Sequence, residues 1–319
     1  MFRIWIDEPF LDTALPMLKG VAEIVGPSAS LDELASCDAS CVPGSRTWDA
    51  ALMARAPKLK VLSRLGVGYD NISVPDATAH NIVVCYAPEA PMVSTAEHAL
   101  ALMFAVAKHL RPLDANAHTG ATKAALEAHK GMELDGRTLG LVGVGRIGSR
   151  VAKVALALGM RVLGFDPYLS PARAAELGIQ MSASLEVLLG QSDVVSLHVP
   201  VTPETRNFFN AQRFAQMKPG AIFINAARGA LVDEAALVET LERGHLSGAG
   251  LDVFQKEPPD PKLALMKFEN VITTPHVASH TDAGHYRLYD HAIAQALQVL
   301  RGEKPPHLLN PEVWATRRV

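Results

Sequence analysis

Short apolar runs alternate with amphipathic stretches along the first third of the chain. Amphipathic stretches such as Leu11–Leu18 and Thr47–Ala54 separate the runs, and Ser73–Asp76 has the cap, early proline and acidic residue of a helix start. Alternation of this kind predicts a parallel sheet with helices on both faces. The predicted strands are Phe2–Ile6, Ala22–Val25, Ala39–Val42, Val61–Ser63 and Ile82–Val84.

The same alternation resumes near residue 138 and predicts a Rossmann-type sheet of six strands. A long helical pattern over Val93–Leu110, ending at Arg111-Pro112, joins the two units, and a last helix over 282–301 is expected to pack on the first unit. Glu97 and His98 on the joining helix are interpreted as an ordinary polar helix face. The six predicted strands are 139–142, 161–165, 193–197, 221–225, 247–251 and 271–274.

A glycine fingerprint lies between the first strand and first helix of this second unit. Gly143, Gly145 and Gly148 follow the apolar run Leu139–Val142, and helical spacing of apolar residues follows them. Such a turn brings backbone amides and a helix N-terminus to a pyrophosphate. Asp166, at the end of the next apolar run, can accept both ribose hydroxyls of NAD and would repel the additional phosphate of NADP. With strand, helix and acid in place, NAD binding is favoured over a glycine-rich turn without a nucleotide.

Composition and charge narrow the class of protein. The chain is 49% hydrophobic and 20% charged with a formal charge of −3, which gives a large core and no basic footprint for nucleic acid. The longest apolar run, Ala99–Ala107, is far shorter than the ~20 residues that span a bilayer. Three cysteines without a CxxC pair predict neither disulfides nor a zinc site, and with no signal-like N-terminus they favour the cytoplasm.

Polar residues follow the last three predicted strands, where ligands of α/β sheets bind. Arg228 follows the strand 221–225, Asp252 and Glu257 follow the next, and His276 follows the last. Singly, each has an equally good structural interpretation as a helix-start charge, a loop acid or a capping histidine. Together, beside the glycine fingerprint, they favour an active site.

The four side chains match the needs of hydride exchange with a 2-keto acid. Arg228 can hold the substrate carboxylate by two hydrogen bonds and polarise the carbonyl. His276 can supply or remove the proton on the substrate oxygen, and Glu257, if paired with it, would favour the imidazolium. Asp252 can accept from the nicotinamide carboxamide.

A second glycine turn, Gly66-Val67-Gly68, follows a strand of the first unit. Successive amides there can form an anion-binding nest for a substrate carboxylate. A simple tight turn explains the same residues equally well, so both interpretations stay open on this evidence alone.

The sequence resembles the D-isomer-specific 2-hydroxyacid dehydrogenase family over essentially its whole length. Many separate motifs occur in the family's order and spacing, which makes the resemblance specific. The matching stretches are Gly66–Asn71, Leu141–Gly148, Ser196–Thr205, Asn225–Glu234, Gly250–Phe254, Lys256–Pro258 and Thr274–Ala278.

The resemblance implies two doubly wound parallel-sheet α/β domains. A flavodoxin-like substrate domain, expected over 1–97 and 284–319, would carry an inserted Rossmann NAD-binding domain over 98–283. A cleft that closes over a small 2-keto or 2-hydroxy acid and a homodimer are also implied. No nucleic-acid, membrane or metal partner is expected.

The resemblance also assigns residues to roles. Arg228, Glu257 and His276 fall on catalytic positions, and Gly66, Val67 and Gly68 fall on the substrate loop together with Arg228 and His276. The implied cofactor contacts are Thr95, Gly143, Gly145, Arg146, Ile147, Gly148, Asp166, His198, Pro200, Thr205, Ala226, Ala227, Arg228, Asp252, His276 and Ser279.

Departures from the family pattern leave the substrate open. After the histidine the family usually continues with a small residue and a glycine, whereas this chain has Val277-Ala278-Ser279-His280. Ser279 and His280 can reshape the wall beside the nicotinamide. The loop Val42–Ser45 lacks the arginine usual in the phosphoglycerate branch, although Arg46 or Arg64 could reach a phosphate. A glyoxylate- or hydroxypyruvate-reductase-like activity is therefore expected first.

Two further functions remain as alternatives, D-3-phosphoglycerate dehydrogenase and an NAD(H)-sensing binding protein on the same scaffold. Formate oxidation is disfavoured by Glu257, because formate needs no proton-transfer pair. A metal site is also disfavoured, since the spacing of the four C-terminal histidines does not keep one helix face. These are His276, His280, His285 and His291.

Overall fold

The computed structural model describes residues 1–6, 15–27, 30–44, 46–120 and 122–319. These residues form two compact units, one of Met1–Met92 with His280–Val319 and one of Val93–Ser279. The boundaries predicted from sequence, after residue 97 and before residue 284, lie a few residues to the C-terminal side of these divisions. Residues 11–14 of the predicted helix Leu11–Leu18, and Ser45, lie outside the described residues.

The first unit contains a five-stranded parallel sheet in the order β2-β1-β3-β4-β5. This order and direction are those of a flavodoxin-like doubly wound sheet. The predicted strands are confirmed to within two residues at each end. The elements are β1 (Phe2–Ile6), α1 (Leu15–Leu18), β2 (Ala22–Val25), β3 (Ala39–Val42), α2 (Ala50–Ala54), β4 (Val61–Arg64), α3 (Val74–Ala79) and β5 (Val83–Tyr86).

The last helix, α12 (Asp282–Leu300), packs on this first sheet, as expected from sequence. The buried Ser63 hydroxyl on β4 donates to the Ala292 carbonyl of the helix at 2.8 Å. Beyond the helix, the buried Asn310 side chain accepts from the Val84 amide at 2.8 Å and donates to the Ile82 carbonyl at 2.9 Å. The C-terminal segment thereby completes the hydrophobic core of the first unit.

The second unit contains a seven-stranded parallel sheet in the order β12-β11-β10-β9-β6-β7-β8. The chain direction across the sheet reverses between β6 and β9, which is the switch point where Rossmann-type sheets bind ligands. The prediction of six strands was short by one, because the two-residue β8 shows no period. The strands are β6 (Thr138–Val142), β7 (Arg161–Phe165), β8 (Gln180–Met181), β9 (Val194–Leu197), β10 (Ala221–Asn225), β11 (Leu246–Leu251) and β12 (Val271–Thr273).

The helical pattern predicted over Val93–Leu110 is divided into two helices. The first, α4 (Met92–Ala107), ends early, and α5 (Leu110–Thr119) begins after His109, whose φ is +49°. Proline lacks an N–H and is tolerated in the first turn of a helix. Pro112 therefore lies at the start of a new helix, and its interpretation as the end of the old one was wrong.

Apart from α6, which precedes β6, each remaining helix of the second unit lies between two consecutive strands of its sheet along the chain. None of the helices in the described ranges is both long and apolar enough to cross a membrane. These remaining helices are α6 (Lys123–Ala128), α7 (Arg146–Ala157), α8 (Pro171–Glu176), α9 (Leu185–Gln191), α10 (Ala211–Gln216) and α11 (Glu234–Glu242).

Candidate active site

The glycine turn between β6 and α7 is shaped by three different steric needs. Gly143 has φ +90°, and a Cβ there would lie 2.7 Å from the His198 carbonyl oxygen. A Cβ on Gly148 would lie 2.4 Å from the Gly143 carbonyl oxygen, so its absence lets the helix approach the turn. Gly145, the N-cap of α7, faces open space instead. The turn thus leaves room beside the first backbone amides of α7, which begins at Arg146. A pyrophosphate would fit in this space.

Asp166 lies just beyond β7 and is tied to the glycine turn. Its Oδ2 accepts from the Val144 amide at 2.8 Å, and its Oδ1 accepts from the Tyr168 amide at 2.9 Å. The carboxylate is only partly buried. Each oxygen keeps a lone pair that could accept a ribose hydroxyl, so the residues present fit a dinucleotide.

The neighbouring strand ends carry further residues predicted to contact the cofactor. Burial lowers the pKa of His198 to about 4, and its Nε2 lies 3.0 Å from the Ser196 hydroxyl. The Thr205 hydroxyl donates to the Pro200 carbonyl at 2.8 Å. Because β9 pairs directly with β6, the loop after β9 and the glycine turn lie at the same edge of the sheet.

Five other predicted contacts are distributed over the same unit. Ala226 and Ala227 follow β10, and the Ala227 amide donates to the Asn225 side chain at 3.0 Å. Thr95 is buried on α4, and Ser279 is half-buried at the end of the unit. Ile147 lies in the first turn of α7. Their contacts with a cofactor stay predictions.

Arg228 lies in the turn after β10, which is held by the buried Asn225. The Asn225 side chain donates to the Arg228 carbonyl at 2.9 Å. The next residue, Gly229, allows a close approach, because a Cβ there would lie 1.9 Å from the carbonyl carbon of Phe254. The loop that carries Arg228 therefore packs directly on the loop that leads to Glu257.

Glu257 and His276 form a direct pair. His276 Nδ1 lies 2.6 Å from Glu257 Oε2, and Glu257 Oε1 accepts from the Phe254 amide at 3.1 Å. Burial alone would raise the pKa of Glu257, but the hydrogen bond and charge of His276, the Phe254 amide and the Arg228 charge outweigh it and lower the pKa. The structure thus brings the arginine, glutamate and histidine predicted from sequence into one electrostatic group.

Asp252 is fully buried and its carboxylate already has donors from the protein. It accepts from the Thr274 hydroxyl at 2.6 Å and from the Val277 and Ala278 amides at 2.9 and 3.0 Å. His98 Nε2 lies 3.4 Å from the same carboxylate. Acceptance from a nicotinamide carboxamide stays a prediction for Asp252.

His98 was wrongly interpreted as part of an ordinary polar helix face. Besides its approach to Asp252, His98 Nε2 lies 2.9 Å from the Thr274 hydroxyl oxygen, which belongs to the turn after β12. No local pattern could have shown this contact, because 176 residues separate the partners in sequence.

The glycine turn of the first unit presents unpaired backbone donors. Gly66 has φ +134°, and within the described part of the chain the Val67 and Gly68 amides donate to no protein group. The Arg64 side chain braces the turn from within, donating to the Gly68 carbonyl at 2.6 Å and the Val42 carbonyl at 3.2 Å. Adjacent open amides of this kind can bind a carboxylate.

The ionisable groups include no metal cluster in the described ranges: no three His, Cys, Asp or Glu residues are grouped to hold an ion. His280 lies in the first unit, where its ring packs edge-on against His285 at 4.7 Å between centroids. The cysteines Cys37, Cys41 and Cys85 are free and buried.

Comparison with known proteins supports the interpretation of the second unit as an NAD-binding domain. Residues 100–278 match the family model described as the NAD binding domain of D-isomer specific 2-hydroxyacid dehydrogenases. The chain belongs to this dehydrogenase family. The residues that match the NAD-binding domain make up most of the second unit, and the cofactor of this domain is NAD.

Relatives in the family include enzymes named D-3-phosphoglycerate dehydrogenase. One from Mycobacterium tuberculosis is 42% identical over 273 residues, covering 86% of this chain and 51% of the relative. Another, from Methanocaldococcus jannaschii, is 36% identical over 315 residues, covering 97% of this chain and 60% of the relative. The chain therefore spans little more than half the length of these curated relatives.

Two solved structures share the fold over nearly the whole chain. A Thermus thermophilus protein is 39% identical, with a TM-score of 0.88 over 97% of this chain and 100% of that chain. D-Lactate dehydrogenase from Aquifex aeolicus, solved with NAD and lactic acid, is 30% identical. Its TM-score is 0.83 over 94% of this chain and 96% of that chain.

Proposed function

We propose that the protein is an NAD-dependent D-2-hydroxyacid dehydrogenase that interconverts a small 2-keto acid and its D-2-hydroxy acid. The observation that carries the proposal is the His276–Glu257 pair at 2.6 Å, in the unit that carries the family's NAD-binding domain. The His276 side chain is 44% exposed, so its imidazole is open to a substrate. An ion pair with a purely structural role would not require this exposure.

The chemistry assigns a separate task to each polar residue. NAD(H) supplies or accepts the hydride. The Glu257 carboxylate accepts a hydrogen bond from Nδ1–H of His276. Nε2 is left to donate a proton to the substrate oxygen during reduction and to remove it during oxidation. Arg228, a permanent cation, binds the substrate carboxylate and polarises the carbonyl.

The open amides of Val67 and Gly68 support a second part of the proposal. We assign the turn Gly66-Val67-Gly68 to the substrate carboxylate, because two adjacent amides that donate to no group of the described residues match a pair of carboxylate oxygens. The donors come from backbone, so they would recognise any 2-keto acid and would not choose among side chains. A homodimer and a cytoplasmic location remain predictions.

Oxidation of 3-phosphoglycerate is the second candidate. The names of the relatives at 36–42% identity favour it. In the structure, the Arg64 side chain is directed to backbone carbonyls, and the Arg46 guanidinium lies 5.6 Å from the Trp5 ring centroid. These contacts support our preference for a keto acid without a phosphate, such as glyoxylate or hydroxypyruvate.

NADH oxidation against a panel of keto acids tests the function. The panel contains glyoxylate, hydroxypyruvate, pyruvate and 3-phosphohydroxypyruvate, with 3-phosphoglycerate and NAD in the reverse direction. We expect turnover with at least one unphosphorylated acid. Turnover with the phosphorylated pair alone would establish the second candidate, and micromolar NADH binding without any turnover would indicate an NAD(H)-sensing protein.

Replacement of His276 by alanine tests the acid–base role within the same assay. Because general acid catalysis contributes about 10²–10⁴-fold, His276→Ala should lower kcat by that factor and leave the Kd of NADH nearly unchanged. His245→Ala provides a matched control, since the ring of this half-buried histidine of the same unit lies 2.9 Å from the Met217 carbonyl oxygen and belongs to no predicted site. Parental activity in His276→Ala would refute the acid–base assignment.

A further inference from the structure

The buried Asp252 organises the short segment that carries His276. The Asp252 carbonyl accepts from the His276 amide at 2.7 Å, while its carboxylate accepts from the next two amides, those of Val277 and Ala278. One residue therefore holds three successive N–H groups. His276 itself has φ +56°, a left-handed conformation that is unfavourable for a residue with a Cβ.

The left-handed backbone at His276 needs support from its surroundings. Conformations of this kind persist only where neighbouring contacts enforce them. The three hydrogen bonds to Asp252 are those contacts, so the direction of the imidazole depends on where the Asp252 carboxylate is held.

His98 and Thr274 complete the shell around that carboxylate. Burial alone would raise the pKa of Asp252, but hydrogen bonds from His98, Thr274 and the Val277 and Ala278 amides outweigh it and lower the pKa. The carboxylate is therefore charged and can only accept. The Thr274 hydroxyl, 2.6 Å away, must give its single hydrogen to Asp252.

The hydrogen-bond directions determine the tautomer of His98. Since the Thr274 hydroxyl has already donated, its oxygen can only accept from His98 Nε2, which lies 2.9 Å away. Nε2 must carry a hydrogen, and the same N–H is directed toward Asp252 at 3.4 Å. A relay of donors thus runs from α4 to the turn after β12 and to the residue after β11.

We propose that His98 is a positioning residue for His276, acting through Thr274 and Asp252 on the backbone of residues 276–278. The proposal rests on the proposed dehydrogenase function, because it gives the relay the task of aligning the general acid. No part of it requires His98 to touch the substrate.

The chemistry of the relay favours this role over simple packing. The His98 side chain is 21% exposed and faces a fully buried charge. A buried charge is costly unless it is well paired, and an apolar group of similar volume often stabilises such a position as well or better. Retaining a donor there gives a defined direction to the carboxylate and therefore to the amides that bind it.

Three variants test the proposal. His98→Leu removes the donor and retains volume, whereas His98→Gln restores an N–H near the position of Nε2. His245→Leu is the matched control, a half-buried histidine of the same unit whose ring lies 2.9 Å from the Met217 carbonyl oxygen. Circular dichroism and Tm establish that each variant is folded before it is compared.

Steady-state kinetics supply the first readout. Because a misaligned catalytic group can cost about 10²-fold, we expect His98→Leu to lower kcat about 10- to 100-fold with the KM and the Kd of NADH within about twofold. His98→Gln should recover most of kcat, and His245→Leu should equal the parent. Equal kcat in Leu and Gln variants, or a loss confined to KM, would overturn the proposal.

The second readout needs no substrate. The protein is labelled with ¹⁵N-histidine for NMR. The proton between His276 Nδ1 and Glu257 should then give a downfield signal in the parent and in His98→Gln. We expect the signal to shift or broaden in His98→Leu alone. An unchanged signal in His98→Leu would refute the relay. A signal that changes in His98→Leu, while the parent turns over no keto acid, would refute only the dehydrogenase function.

Discussion

His276 Nδ1 and Glu257 Oε2 lie 2.6 Å apart, although 19 residues separate the two positions in sequence. The pair assigns the two ring nitrogens different tasks, because a carboxylate can only accept and so holds the Nδ1 hydrogen. The other nitrogen, Nε2, is left for proton exchange with a substrate. The pair also places a negative charge beside the imidazolium that reduction consumes.

Glu257→Gln should impair reduction by removing that charge. The amide preserves the size of the side chain but no longer stabilises the imidazolium, so kcat for reduction should fall about 10- to 100-fold at neutral pH. Glu239→Gln, which alters a surface pair with Arg243 at 3.0 Å, should keep the parental kcat. Parental kcat in Glu257→Gln would contradict the assigned role.

Gly145→Ala should separate cofactor binding from folding. The new Cβ would enter open space at the N-terminus of α7, so Tm should change by no more than about 2 °C. The same Cβ would occupy the space proposed for the pyrophosphate, and the Kd of NADH should rise at least about tenfold. In the control Gly190→Ala, the Cβ lies 3.9 Å from the Gln216 carbonyl oxygen, and NADH binding should be unchanged. Isothermal titration calorimetry measures the Kd of NADH for both variants. Unaltered binding by Gly145→Ala would place the pyrophosphate elsewhere.

Asp166→Ala should reduce the discrimination between NAD and NADP. A hydrogen bond to a charged group contributes about 1.5–3 kcal/mol, so loss of the ribose contacts should weaken NAD at least about tenfold. NADP should weaken less, because its phosphate no longer meets a carboxylate. The ratio of kcat/KM for the two cofactors measures the effect, with the exposed Glu176→Gln as a charge-matched control. A parental ratio in Asp166→Ala would show that another residue selects the cofactor.

His198 should make the folded protein less stable as the medium is acidified from neutral pH. Burial lowers its pKa from 6.5 to about 4. Above pH 6.5 the imidazole is neutral in both states; between pH 6.5 and about 4 only the unfolded chain binds the proton. The stabilising contribution is therefore present above the unfolded pKa and is lost as pH falls through this window. Urea unfolding at pH 7, 6 and 5 should show a smaller decline for His198→Gln than for the parent. Parallel curves would indicate that His198 is protonated in the folded state.

The local parts of this molecule were predictable because each depends on neighbours in the sequence. Alternating apolar runs predicted the strands of both sheets, and the spacing of Gly143, Gly145 and Gly148 predicted the strand–turn–helix unit. Short-range periodicity failed at β8, which is too short to show a pattern, and at Pro112, where helix start and helix end look alike.

The candidate site was predicted only in part. The positions of Arg228, Glu257 and His276 beyond consecutive strands indicated a shared sheet edge, because parallel strands direct their carboxyl ends to the same side. Nothing in that pattern indicated that Gly229 lets two of the loops pack together, or that Asp252 would be enclosed by donors from its own chain.

The sequence by itself therefore determined the order of elements, the family and the residue types available for chemistry, since propensity and motif spacing act over a few residues. The tertiary structure alone decided that His98 on α4 meets Thr274 and Asp252, and that His276 adopts a left-handed backbone. Those contacts join segments far apart in the chain, and their free energy depends on burial and on mutual distance, which exist only after the sheet has assembled.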